Sequence, residues 1–136
     1  MTLHLIKLCV GAATPEDLRE WRASRKAAGH RPVVHTRQTP KRVGEILDGG
    51  SLFWVFKGQV LIRQPIIAID TLGEGVTRRC EIALDEAMIA TAPQPRRAFQ
   101  GWRYLEPKDA PADLASAADG ELPIELARRL RELGAF

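Results

Sequence analysis

The sequence has only two cysteines, Cys9 and Cys80, and they form no Cys-x-x-Cys pair. Each lies inside an apolar, strand-like run, so both read as buried free thiols of a reducing compartment rather than as a staple. Histidine is equally scarce. His4, His30 and His35 fall in three separate contexts, so no zinc ligand set can be written from local spacing, and no metal or cofactor is expected. No stretch approaches the roughly eighteen apolar residues that a membrane span needs. The first ten residues lack a basic leader, and Lys7 interrupts their apolar run, so no export signal is expected. These absences together predict a cytoplasmic chain without a membrane partner.

What is present suits one domain. The chain has 136 residues, of which 45% are hydrophobic and 27% charged, enough to bury a core without staples. Net charge is +3 but unevenly spread. Residues 1–105 carry 16 Lys and Arg against 10 Asp and Glu, or +6; residues 106–136 carry 4 against 7, or −3. A basic body with an acidic tail points to an anionic partner.

Periodicity and punctuation give the elements. Leu3–Val10 is an apolar run of strand length closed by Gly11. Thr14-Pro15-Glu16-Asp17 starts a helix, with a cap, a first-turn proline and two acids at the positive end of the dipole. Leu18, Trp21 and Ala28 form its expected buried face. Val33–Arg37 reads as a short strand, and Thr39-Pro40 as a second capped start with Val43, Ile46 and Leu47 inward. Ser51–Lys57 is the clearest β signal, broken at Gly58 and continued over Gln59–Asp70, with Pro65 marking an edge or a bend. In Val76–Leu84, Cys80, Ile82 and Leu84 share one parity, as in a half-buried antiparallel strand. Ala87–Ala92 is read as a short strand, and from Pro93 an irregular, proline-rich stretch encloses Phe99–Leu105. Residues 115–136 read as a loop and a C-terminal helix (123–133) with Ile124, Leu126, Ala127, Leu130 and Leu133 as its stripe, packing on the domain formed by 1–114. The predicted class is α+β: a curved mixed or antiparallel sheet, or a small, partly open β-barrel, with two N-terminal helices and one C-terminal helix.

Four segments hold the residue types of a site. His35, Arg37, Lys41 and Arg42 gather where a strand opens into a predicted helix start, whose free amides and dipole would favour a phosphate. Gly49-Gly50 precedes the aromatic strand and would permit close backbone approach to a ligand. The spacing is not that of a nucleotide-phosphate loop, and Phe53, Trp54 and Phe56 are mostly core. Arg63 and Gln64 interrupt an apolar strand and must find partners or surface. Arg96, Arg97, Trp102, Arg103 and Tyr104 lie within residues 87–105, which contain no acid; arginine beside aromatic rings suits phosphates and stacked bases.

Several stretches together resemble a family of short bacterial proteins catalogued as a domain of unknown function and seen chiefly in alphaproteobacteria. They are Leu3–Gly11, His35-Thr36-Arg37, Pro40-Lys41-Arg42, Asp48–Trp54, Arg63-Gln64, Phe99–Leu105 and Asp109–Leu114. That resemblance implies no reaction and no catalytic residue. More loosely, a helix followed by a Trp-containing strand is similar to PUA-like RNA-binding barrels, including their ASCH and EVE relatives; this is an analogy of fold. The leading expectation is a module for RNA or another single strand, using His35, Arg37, Lys41, Arg42, Arg63, Arg96, Arg97, Trp102 and Arg103. Two alternatives stand beside it: a protein-interaction domain whose basic face meets an acidic partner or its own tail, and an enzyme on phosphorylated substrates with His35 as acid or base.

Overall fold

The computed structural model describes residues 2–114. In chain order the elements are β1 (His4–Leu8), α1 (Pro15–Ala27), β2 (Val33–Thr36), α2 (Val43–Leu47), β3 (Ser51–Phe56), β4 (Gln59–Leu72), β5 (Arg79–Leu84), β6 (Ile89–Pro95) and β7 (Trp102–Leu105). The seven strands form one mixed sheet in the order β2-β5-β4-β3-β1-β7, with β6 also on β4. β1 runs parallel to β3, and the other pairings are antiparallel. The ladder is not closed. The helix expected over 123–133 lies outside the described residues, and no helix within them is long and apolar enough to cross a membrane.

β3 is the structural centre, because all six of its side chains are buried. Alternation sends Leu52, Trp54 and Phe56 into the main core with Leu5, Leu18, Ile46 and Ile82. Phe53 and Val55 go to a second cluster with Ile6, Val60 and Leu105. Lys57 and Gly58, at φ 47° and 84°, form the two-residue turn into β4, the left-handed pair that a tight hairpin requires. The break expected at Gly58 is this turn.

β4 is long and bent. Its first half pairs with β3 on one side and β6 on the other; its second half pairs with β5. Pro65 lies where the partner changes, since the β6 ladder ends at Arg63 and the β5 ladder begins at Ile66. A residue without an N–H fits that gap, so the proline bends a central strand rather than marking an edge. Next to it Gln64 is fully buried, accepting from Trp54 Nε1 (2.9 Å) and donating to the Asp85 carbonyl (3.0 Å). Both ends of this buried amide are thus paired.

Several expectations require correction. The Thr14 capping box is formed, but of the predicted inner face of α1 only Leu18 is buried. Trp21 is 50% exposed, with Arg22 and Arg25 stacked on its ring at 4.8 and 5.6 Å. The second helix does not start at Thr39-Pro40: α2 begins at Val43 and lacks a side-chain cap, while Thr39 Oγ1 bonds Thr71 Oγ1 (2.9 Å). The irregular stretch after Pro93 is also more ordered than its prolines suggest. β6 runs through Pro93 to Pro95, having a full ladder only on its β4 side, the position where proline costs least.

The close approach at Gly50 is to the chain itself. A Cβ there would lie 2.2 Å from the Leu3 carbonyl oxygen and 2.4 Å from that of Ile46. Gly50 thus lets the end of α2 pack against the chain entering β1.

Candidate functional site

The outer strands of the sheet are β2 and β7. They meet through side chains, where the loop after β2 lies against β7. Trp102 Nε1 donates to the Gln38 carbonyl (2.9 Å), and Tyr104 Oη accepts from the Lys41 amide (3.0 Å). Trp102 and Tyr104 are two apart on a strand and so share a face, their rings edge to face at 4.9 Å. The amides expected to greet an anion at a helix start are therefore taken by a tyrosine.

Two adjoining clefts open on this seam. One, of about 590 Å3, is lined by Arg37, Gln38, Thr39, Lys41, Arg78, Trp102 and Tyr104. The other, of about 690 Å3, is lined by Lys7, His35, Thr36, Arg37, Gln38, Gln100, Gly101, Trp102 and Arg103. Arg37, Gln38 and Trp102 form their common wall. Five Lys and Arg side chains thus border one recess with no carboxylate among the described residues of its lining.

These cations are also unspent. Among the described residues Lys7, Arg37, Lys41, Arg78 and Arg103 make no ion pair. Arg103 bonds the Gln100 carbonyl (3.2 Å) and lies 5.3 Å over Phe99, which holds its fork in place. Burial holds Lys7 below the ordinary lysine range. Unpaired positive charge in a partly desolvated recess attracts anions more strongly than the same charge in open water. His35 is exposed at the edge, its Nε2 3.0 Å from Glu81 on the neighbouring strand.

The fold therefore brings together His35, Arg37, Lys41, Trp102, Arg103 and Tyr104 from the sequence-derived candidates, and adds Lys7 and Arg78. Lys7 was visible as the charge interrupting an apolar strand; Arg78 gave no distinct signal. The remaining four line neither cleft. Arg42 is beside the site, 5.6 Å over the Tyr104 ring, but its charge is answered by Glu45 and, at 3.8 Å, by Glu106. Arg96 bonds Gln94 (3.0 Å) and the Asp109 carbonyl (3.2 Å), and Arg97 is exposed outside the clefts.

Arg63 belongs to a separate polar cluster that sequence reasoning did not assemble. Its guanidinium grips Asp113 through two 2.7 Å bonds and donates to Ser51 Oγ (2.8 Å). The Ser51 amide donates to His4 Nδ1 (3.0 Å). Hydrogen bonding to Arg63, and then its charge, hold Asp113 below the ordinary carboxylate value against desolvation. Burial, helped by Arg63, holds His4 below 6.5. Serine, histidine and aspartate are close here, yet the histidine takes a backbone amide and the aspartate an arginine, so no nucleophile is activated. The cluster clamps the segment after β7 onto the sheet.

Among the described residues no group of three or more His, Cys, Asp or Glu could hold a metal ion. A family model described as "Protein of unknown function (DUF1489)" matches residues 5–136. No curated protein and no solved structure matches the chain.

Proposed function

The chain belongs to the DUF1489 family of proteins of unknown function, and since that membership names no activity, we propose from the cleft itself that it binds single-stranded nucleic acid, RNA above all. The observation that carries this reading is the seam recess: five lysines and arginines, with no carboxylate among the described residues of its lining, beside the rings of Trp102 and Tyr104. Phosphates would meet Arg37, Lys41, Arg78 and Arg103, with Lys7 deeper, and a base would rest against the exposed part of Tyr104. A single strand suits two joined recesses better than a duplex, which is read by an element entering a groove. The looser likeness to PUA-like RNA-binding barrels accords with this reading.

The test is fluorescence anisotropy with a labelled single-stranded RNA over a salt series. Each phosphate contact contributes about −0.7 to the slope of log K against log salt, so four or five predict roughly −3 and about a hundredfold weakening from 50 to 200 mM. Arg37→Ala should weaken binding and lower the slope by about 0.7. An affinity indifferent to salt, or to Arg37→Ala, sinks the proposal.

A second reading follows from one contact. His35 has a carboxylate behind its Nε2, which leaves Nδ1 as the ring nitrogen open to chemistry at the cleft edge, the arrangement of a base and its orienting group. An enzyme on phosphorylated substrates would lose turnover in His35→Gln while keeping its affinity. RNA left intact by the wild-type protein on prolonged incubation argues for binding alone.

A further inference from the structure

A second basic groove lies away from the seam, between α1 and the start of β6. It measures about 350 Å3, and its walls include Arg22, Ala23, Arg25, Lys26, Pro32 and Met88. Beyond Leu18 the helix stands largely uncovered. Lys26 is answered by Glu86 at 3.0 Å, and two neighbours are also paired, Arg19 with Glu16 (3.7 Å) and Arg31 with Glu81 (3.6 Å). Arg22 and Arg25 have no carboxylate among the described residues. Arg22 is half-buried, and its Nε has no hydrogen-bond partner among them, a vacancy folded proteins rarely leave.

We infer that this groove is the seat of the chain's own residues 115–136, with Asp119, Glu121 or Glu125 answering Arg22 and Arg25 and the leucines of 122–133 covering the apolar floor. Three observations choose this occupant. The described chain reaches Leu114, which is buried in the same core cluster as Leu18 of α1, with Met88 packed against it. Asp113 bridges to Thr91, three residues along β6 from the groove's Met88, roughly 10 Å at strand rise. The segment also offers what the groove lacks: three acids within 119–125, followed by an apolar stripe. A tether this short gives an effective concentration in the millimolar range, so modest contacts suffice. The family match likewise extends through 136. This inference does not depend on the nucleic-acid reading.

The test uses the full chain with Glu132→Cys, off the apolar stripe, carrying a nitroxide. Cys80 is buried, and burial pushes the Cys9 thiol up to about 11, so at pH 7 the label goes to the introduced thiol. Amide signals of residues 19–26 and of Met88 should broaden, while those of Lys41 and Arg103 stay sharp. The broadening should persist on tenfold dilution and vanish when Leu126→Asp and Leu130→Asp are added. Sharp α1 signals, or broadening centred on the seam, would overturn the proposal. Broadening that fades on dilution would assign the groove to a second copy and overturn it equally.

Discussion

Single residues in this protein are constrained most tightly where backbone meets backbone. Gly50 has carbonyl oxygens at 2.2 and 2.4 Å from where a Cβ would stand, and backbone cannot swing aside as a side-chain tip can. Gly50→Ala should destabilise by about 3 kcal/mol or more, the upper end of overpacking costs, read as a lowered denaturation midpoint with an unchanged slope. His4 makes a different prediction. Burial, and then the Arg63 charge, disfavour its protonated form in the fold, so as pH falls below 6.5 the unfolded chain takes up a proton before the folded one. Stability should therefore drop below pH 6.5 until the lower folded value is reached. His4→Asn offers an oxygen where Nδ1 accepts and cannot take the proton; melts from pH 7 to pH 5 should show a shallower decline than wild type. Asp113 acts in the same direction but lower, its stabilisation going as pH falls below 3.8 and through its depressed value.

Among the elements, β7 depends most on contacts from far along the chain. It pairs with β1 on one side and is joined to the 37–42 loop on the other by Trp102 and Tyr104. Tyr104→Phe removes the acceptor for the Lys41 amide while keeping the ring, at a cost of about 1 kcal/mol. Faster hydrogen exchange at Lys41, with β3 amides unchanged, is the expected signature. The sequence disclosed elements in proportion to how locally they are determined. The β3–β4 hairpin was legible from its aromatics and Gly58, and β5 from the parity of Cys80, Ile82 and Leu84. Trp21 was misplaced because helical spacing sees a stripe but not whether a neighbour covers it. The start of α2 was misplaced because Thr39 and Tyr104 found partners 32 and 63 residues distant. Tertiary bonds of that kind leave no local trace. β7 escaped notice because four residues between prolines and glycine carry too little periodicity.

Across the whole molecule, charge is sorted rather than balanced. The pair that neutralises Arg63 lies away from the seam, Arg42 beside it is paired with Glu45, and the seam's own cations have no counter-charge among the described residues. The candidate site was half legible: arginine-rich segments beside rings stood out as candidates, but which arginines would meet was settled by the strand pairing. Arg96→Ala and Arg97→Ala should accordingly leave RNA affinity within about twofold, in contrast to Arg37→Ala, when titrated side by side by anisotropy.

The gap between the end strands β2 and β7, bridged by the 37–42 loop, has a mechanical corollary. A polyanion bound in that recess as proposed would touch both banks of the gap between these two strands and so act as a suture across it. Occupancy and resistance to unfolding then become a single quantity: ligand at a hundred times its Kd would add about 2.7 kcal/mol. A thermal-shift screen of oligonucleotides would therefore test the proposed binding without any assay of activity.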